Sequence, residues 1–251
     1  INAPLGGVLC AIELILAELN TKSFIPIVVA AVIATTVARS LTGDVAAFDS
    51  IPQYKLGSAI EYPFYIILGI LTGLAASIFI KSLNFVEIEF ERLKSIPVPL
   101  KTCLGGLFVG IIALSFPHVL GNGFDVTSDL ISLDSDESGN IVVGKNLTNN
   151  ENSDSIIDEL LIFIISIMAL KIIATSVSIG SGGSGGIFTP SLFIGAAIGA
   201  GMGLFMNDLG IITHPGAFAL VGMAAFVAST TRATLTAIVL LFEMTATYEI
   251  I

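Results

Sequence analysis

Gly180-Ser181-Gly182-Gly183-Ser184-Gly185-Gly186-Ile187-Phe188-Thr189-Pro190 is the stretch on which the fold turns. Five of its first seven residues are glycine, and it passes straight into an apolar run. Glycine has no Cβ, so successive main-chain N–H groups can converge on one point. A proline in the first turn of the next segment, preceded by Thr189, marks a helix N-terminus whose free N–H groups and positive dipole end favour an anion. The competing reading is a flexible Gly/Ser linker. Linkers join soluble domains, however, and this stretch lies between two long apolar segments where loose backbone would be buried. It therefore predicts an anion site built from backbone, in a break between two membrane helices.

Composition agrees. Of 251 residues, 54% are hydrophobic and 12% charged, with a mean hydropathy of +0.95; a soluble domain carries about 25% charged residues. There is no tryptophan, so any interfacial aromatic belt rests on four Tyr and some of the 16 Phe. The net charge of −10 weighs against nucleic acid as a partner, but nine of the 20 acids lie between Asp125 and Glu159, opposed there by Lys145 alone. That acidity belongs to one loop. Cys10 and Cys103 are too few and too far apart for a disulfide framework or a metal site, and both read as packing residues. No cofactor is implied. Ile1-Asn2-Ala3-Pro4 lacks the basic start of a signal peptide, and the chain stops at Ile251 without a polar tail. We expect a fragment of a longer membrane protein, with no soluble domain within residues 1–251.

Outward from the glycines, the apolar runs set the membrane segments. Pro4 to Glu18 is too short to cross comfortably, since a perpendicular span takes about 20 residues; a short, partly re-entrant helix is expected. Its Glu13 is flanked by Ile12 and Leu14. An acid at that depth faces protein, water or a proton path. Two readings stay open for it, a structural carboxylate bonded to a neighbouring helix and a proton carrier; Glu18 reads as interfacial. Phe24–Leu41 is a second helix, with Pro26 near its start. Residues 60–90 form a third, 31 residues and about 46 Å long, in which Gly69 and Gly73 offer a close-packing face. Arg92, Lys94 and Lys101 cluster at the Pro97/Pro99 turn, which the positive-inside rule puts in the cytoplasm. Leu100–Phe116 then crosses outward, so Asp125–Ser155 is expected outside as a solvated loop carrying the sequon Asn146-Leu147-Thr148. The chain returns through Ile156–Ile179, with Lys171 inside it, to the glycines. Ile187–Met206 has Gly195, Gly199 and Gly203 at four-residue spacing, a nearly bare face built for tight packing. Residues 216–230 and 232–247 are two more short segments, the second carrying Glu243, read as a structural carboxylate holding the last helix. Segments this short, broken by Gly and Pro, predict an all-α polytopic membrane fold of tilted, partly discontinuous helices, an architecture that makes ion sites from helix ends.

At this point the motifs resemble those of the CLC chloride channels and chloride/proton antiporters. Gly185-Gly186-Ile187-Phe188-Thr189-Pro190 is similar to that family's GxFxP motif. Asn2-Ala3-Pro4-Leu5-Gly6-Gly7-Val8-Leu9 with Ile12-Glu13 resembles the segment after its gating-glutamate helix. Thr231-Arg232-Ala233-Thr234-Leu235-Thr236 and Leu241-Phe242-Glu243-Met244-Thr245 resemble two late blocks, with Thr234 where the family usually has proline. The four occur in the family's order along nearly the whole chain.

The resemblance implies that the N–H groups of Ile187 and Phe188 face a partly dehydrated chloride, with Gly185 and Gly186 shaping the approach. It implies a multi-pass homodimer in the bilayer, one pore per subunit, with part of the contact made by Pro4–Glu18, Phe24–Leu41 and Leu235–Thr245. We expect a prokaryotic inner membrane as its home. The family's serine loop and gating glutamate are expected upstream of Ile1, and its pore tyrosine downstream of Ile251. One departure matters. The antiporters usually carry two adjacent acids after the Ala-Pro-Leu-Gly-Gly segment, the second transferring protons; here the pair reads Glu13-Leu14. Leucine carries no proton, which favours a passive channel, or an exchanger whose protons pass elsewhere, through Glu13. An organic-anion transporter using the same helix end is disfavoured by the apolar Ile187 and Phe188. An intramembrane enzyme lacks its motifs: there is no GxGD, no HExxH and no Ser/His pair at membrane depth.

Overall fold

Each apolar run becomes a helix, and proline opens four of them. The structure, a computed structural model, describes residues 3–16, 21–43, 48, 54, 61–94, 96–135, 141–142, 156–209, 211 and 213–245. In order these form α1 (Pro4–Cys10, continued by a π-helical turn Ala11–Leu16), α2 (Thr21–Thr42), α3 (Tyr62–Arg92), α4 (Val98–Ser115) and α5 (Phe124–Ile131). Then come β1 (Asp134–Ser135), β2 (Ile141–Val142), α6 (Ile156–Gly180), α7 (Phe188–Asp208), α8 (Pro215–Thr231) and α9 (Thr234–Thr245). Pro4, Pro63, Pro99 and Pro215 stand at the first or second position of α1, α3, α4 and α8, where a missing N–H leaves no bond unmade. Pro26 differs from expectation: α2 starts at Thr21, so Pro26 falls inside the helix and removes a bond there.

Helices α2, α3, α4, α6 and α7 are long and apolar enough to cross a membrane; Pro4–Leu16, α8 and α9 are shorter. At 1.5 Å per residue α9 covers only about 18 Å of a hydrocarbon core of about 30 Å.

The centre of the molecule is the α7–α8 pair. A Cβ on Gly195 would stand 2.5 Å from the Gly222 carbonyl, one on Gly203 2.6 Å from Pro215 Cα, and one on Gly199 would collide with the Phe218 carbonyl. The bare face read from the sequence is thus the seam along which the two backbones touch. In lipid, where burying apolar surface in protein gains little, this close packing is what joins helices. Phe193, Phe218 and Phe226 are fully buried around the seam.

Three expectations are corrected. Gly69 and Gly73 face open space, with no atom within 4 Å of an added Cβ, so among the described residues no helix approaches them. Cys103 is exposed on α4 rather than packed, while Cys10 is half-buried. The segment after Asp125 begins as a packed helix, not a solvated loop. Val126, Thr127, Leu130 and Ile131 of α5 are buried on α7 and α8, and its C-terminal end is tied down by Tyr54, whose hydroxyl donates to the Ile131 (2.6 Å) and Leu133 (3.1 Å) carbonyls. Beyond it, β1 and β2 pair antiparallel, Asp134 with Val142 and Ser135 with Ile141. Glu18, the sequon at Asn146 and most of the acidic stretch lie outside the described residues.

Candidate anion site at the α7 N-terminus

The glycines divide into two groups with different work. Gly182 has φ +91, its N–H donates to Ile179 O (3.0 Å), and the Gly183 N–H reaches back to Ser178 O (3.1 Å). This is the paired bonding that ends a helix on a left-handed residue, and only glycine adopts that conformation without strain. Gly180 lies against α3, where a Cβ would stand 2.9 Å from the Glu87 nitrogen. Thr102 of α4 donates its hydroxyl to Ser181 O (3.0 Å), strapping the turn in place. Gly180 to Gly183 therefore terminate and anchor α6.

Gly185 and Gly186 do the second job. They are exposed, Ile187 is 40% exposed, and Phe188 is half-buried. Ile187 adopts α-helical angles (φ −88, ψ −18) as the residue before α7. The first backbone bond of the new helix runs from Ser191 N to Ile187 O (3.0 Å). Pro190 has no N–H. Among the described residues, no protein acceptor meets the N–H groups of Gly185, Gly186, Ile187, Phe188 or Thr189. These are the orphan donors of a helix start, backed by the dipole of a 21-residue helix. Ser191, fully buried, turns its hydroxyl to Ile187 O (2.7 Å) and accepts from Thr230 of α8 (3.3 Å). The start of α7 is thereby held to α8.

Two cavities flank this start. One, about 570 Å³, is apolar and lies between α1, α2, Phe188 and Leu240. The other, about 370 Å³, is polar and is bounded by Gly185, Gly186, Thr189, the Gly121-Asn122 turn and Lys171. Lys171 is 2% exposed. Its ammonium donates to Val119 O (2.8 Å) and Gly121 O (2.9 Å) and stands 5.2 Å from the centre of the Phe193 ring.

Of the residues singled out in the sequence, Gly185, Gly186, Ile187 and Phe188 come together at one helix end. Glu13 does not join them and lines neither cavity. Its carboxylate accepts from Thr236 N (2.8 Å), Thr236 Oγ1 (2.7 Å) and Leu235 N (3.4 Å), capping the start of α9. Glu243 returns the favour: it accepts from Leu5 N (3.0 Å) and Gly6 N (2.7 Å) at the start of α1. The two helices run antiparallel, each ending in the acid that caps its neighbour, at a crossing so close that a Cβ on Gly6 would stand 2.8 Å from Leu240 Cα. Lys171 was visible in the sequence as a lone cation inside a 25-residue apolar helix, which by itself marks a residue of interest. Its surroundings were not visible, because they come from a turn 50 residues earlier.

A bundle of crossing apolar helices, five of them long enough to cross a membrane and one beginning with a row of unpaired N–H groups, defines an all-α polytopic membrane domain. The family model described as "Voltage gated chloride channel" matches residues 1–251, and the chain belongs to that family. It is similar to chloride channel protein CLC-f of Arabidopsis thaliana, 34% identical across the whole chain and 32% of the relative's length. To a voltage-gated ClC-type chloride channel ClcB of Escherichia coli it is 31% identical, over 54% of that protein. Among solved structures, a slow cyanobacterial Cl⁻/H⁺ antiporter aligns over the whole chain and 54% of its own, with 30% identity and a TM-score of 0.76. A eukaryotic CLC transporter aligns at 27% identity and a TM-score of 0.69. The chain thus spans about half the length of the bacterial relatives and a third of the plant one.

Proposed function

We propose that the protein containing this chain moves chloride across a membrane, and that Ile187 and Phe188 bind the ion through their backbone N–H groups at the α7 N-terminus, Gly185 and Gly186 leaving the approach open. The observation that carries the reading is the run of unpaired N–H groups at an exposed break between two membrane helices. Selectivity then comes from amide dipoles and a helix end, so bromide and nitrate pass as well.

Passive conduction is the form we favour. Leu14 occupies the position where the antiporters carry their proton-transferring acid, and the Glu13 carboxylate is taken up in capping α9. The alternative, an exchanger using Glu13, draws support from the likeness to the cyanobacterial Cl⁻/H⁺ antiporter. We further propose a homodimer that uses the outer faces of α1, α2 and α9, where Leu5, Ile33 and Leu235 are about 60% exposed. The likeness to bacterial ClcB proteins supports an inner-membrane location. The reading needs no cofactor and no enzymatic step.

The test is chloride efflux from liposomes holding the full-length protein, with bromide and nitrate as alternative ions. Efflux no faster than from empty liposomes sinks the proposal. If a chloride gradient drives protons uphill in the same liposomes, the passive reading gives way to the exchanger.

A further inference from the structure

The end of α8 farthest from the α7 N-terminus carries an acid–base pair that the anion site does not use. His214, the residue before Pro215 of α8, sets its Nδ1 2.6 Å from Oδ1 of Asp134, the first residue of β1. Both side chains are just over a third exposed, so protons reach the pair from water. Around it the α5–β1 segment is fastened to α8 by neutral contacts. Gly216 N donates to Leu133 O (2.9 Å), and a Cβ on Gly216 would collide with the Ile131 carbonyl and the Tyr54 hydroxyl. The Tyr54 ring lies 5.8 Å from the imidazole. Its phenol stays neutral, because burial and, after it, the Asp134 charge push its pKa well above the ordinary tyrosine value. The other elements packed on α8 bring further carboxylates: Asp125 and Asp129 on α5, Asp208 at the end of α7, Glu61 before α3, bonded to Tyr65, and Glu243 of α9, committed to α1. Lys171, a cation that reaches the start of α5, is bonded to the Val119 and Gly121 carbonyls. His214 therefore changes charge in acidic surroundings, with Asp134 in contact.

Histidine is the side chain that changes charge between about pH 5 and 8. A neutral imidazole with its proton on Nδ1 still donates to Asp134; a protonated one makes a charge-assisted bond about twice as strong. Two fields act on the added charge. The positive end of the α8 dipole opposes it and the Asp134 carboxylate favours it, and in direct contact the carboxylate wins. Without Asp134 the helix end would decide, and the sign would reverse.

We propose that His214 and Asp134 form a latch that acid closes. The basic Pro97/Pro99 turn is cytoplasmic by the positive-inside rule, so this end of α8 faces the opposite side of the membrane. Protons there tighten the α5–β1 segment onto the start of α8. Through α8, whose Thr230 donates to Ser191 (3.3 Å), they steady the α7 N-terminus. The latch stands on the geometry of the pair, and its effect on flux rests on the chloride reading.

The experiment is backbone hydrogen exchange in the full-length protein at about pH 5.5 and about pH 8, either side of the middle of histidine's range, each rate divided by the intrinsic rate of its peptide. Amides of α5 and of the first turns of α8 are expected to be about fivefold better protected in acid, the step from a neutral to a charge-assisted bond. His214→Gln is expected to lose that difference. Asp134→Asn is expected to reverse it, with less protection in acid. Equal wild-type protection at both pH values overturns the latch, as does either variant responding like the wild type. If Asp134→Asn does not fold, the wild type against His214→Gln decides. Chloride efflux from liposomes at the same two outside pH values tests the control of transport. Wild type and His214→Gln are expected to respond differently to outside pH, and identical responses overturn that control. A protein that passes no chloride at either pH but keeps the exchange response would keep the latch and remove the proposed transport.

Discussion

Gly186 and Gly199 are one residue type under opposite constraints. A Cβ on Gly186 meets nothing within 4 Å, whereas one on Gly199 runs into the Phe218 carbonyl. Gly186→Ala should therefore fold, with a melting temperature close to wild type, because a surface change of this kind stays within about 0.5 kcal/mol. Its methyl group narrows the approach to the unpaired N–H groups, so chloride efflux should fall. Wild-type efflux from a well-folded Gly186→Ala would remove Gly186 from the site. Gly199→Val should lose at least the roughly 1–3 kcal/mol typical of overpacking, since backbone has no rotamer by which to yield. Thermal-shift measurement by size-exclusion chromatography compares the two.

The α1–α9 pair shows what a reciprocal cap does for two short helices. Each presents orphan N–H groups at its start, and each receives a carboxylate from the far end of the other. Replacing Glu13 or Glu243 by Ala should cost about 0.5–2 kcal/mol, the range for a lost N-cap. Glu13→Gln keeps an acceptor oxygen but cannot carry a proton; it should retain chloride efflux with only a modest loss of stability. If proton-coupled transport is present and Glu13→Gln abolishes it while stability is unchanged, the carboxylate is a carrier rather than a cap. The helices themselves were legible in the sequence because apolar runs, prolines and the Gly195/Gly199/Gly203 spacing are local signals. The unpaired N–H groups at the start of α7 were legible for the same reason, since all lie within five residues. Helix α5 was not: Asp125 and Asp129 made its surroundings read as acidic loop, although Val126, Leu130 and Ile131 already stood at helical spacing. The caps and the Lys171 pocket were hidden for another reason. Their partners are 50 to 238 residues away in sequence, and a residue's type reveals a need for a partner without naming it.

At the scale of the whole chain, packing is uneven. About two thirds of α7 is buried within the chain, whereas α2 is bare along its apolar length. In detergent, backbone amides of α7 and α8 should exchange with deuterium slowest, and those of α2 among the fastest of the long helices once the proposed dimer is dissociated, because local opening follows the density of packed contacts. An α2 protected as strongly as α7 would show that something beyond the described residues covers it. The reciprocal caps add a consequence in time. Glu13 meets Thr236 only across a separation of 223 residues. At a synthesis rate of about 5–20 residues per second, that gap corresponds to roughly 10–45 s. Throughout this interval α1 has neither the acid that closes its first turn nor the backbone that neutralises its own. The first helix of this chain therefore waits during synthesis for its capping partner, until α9 arrives.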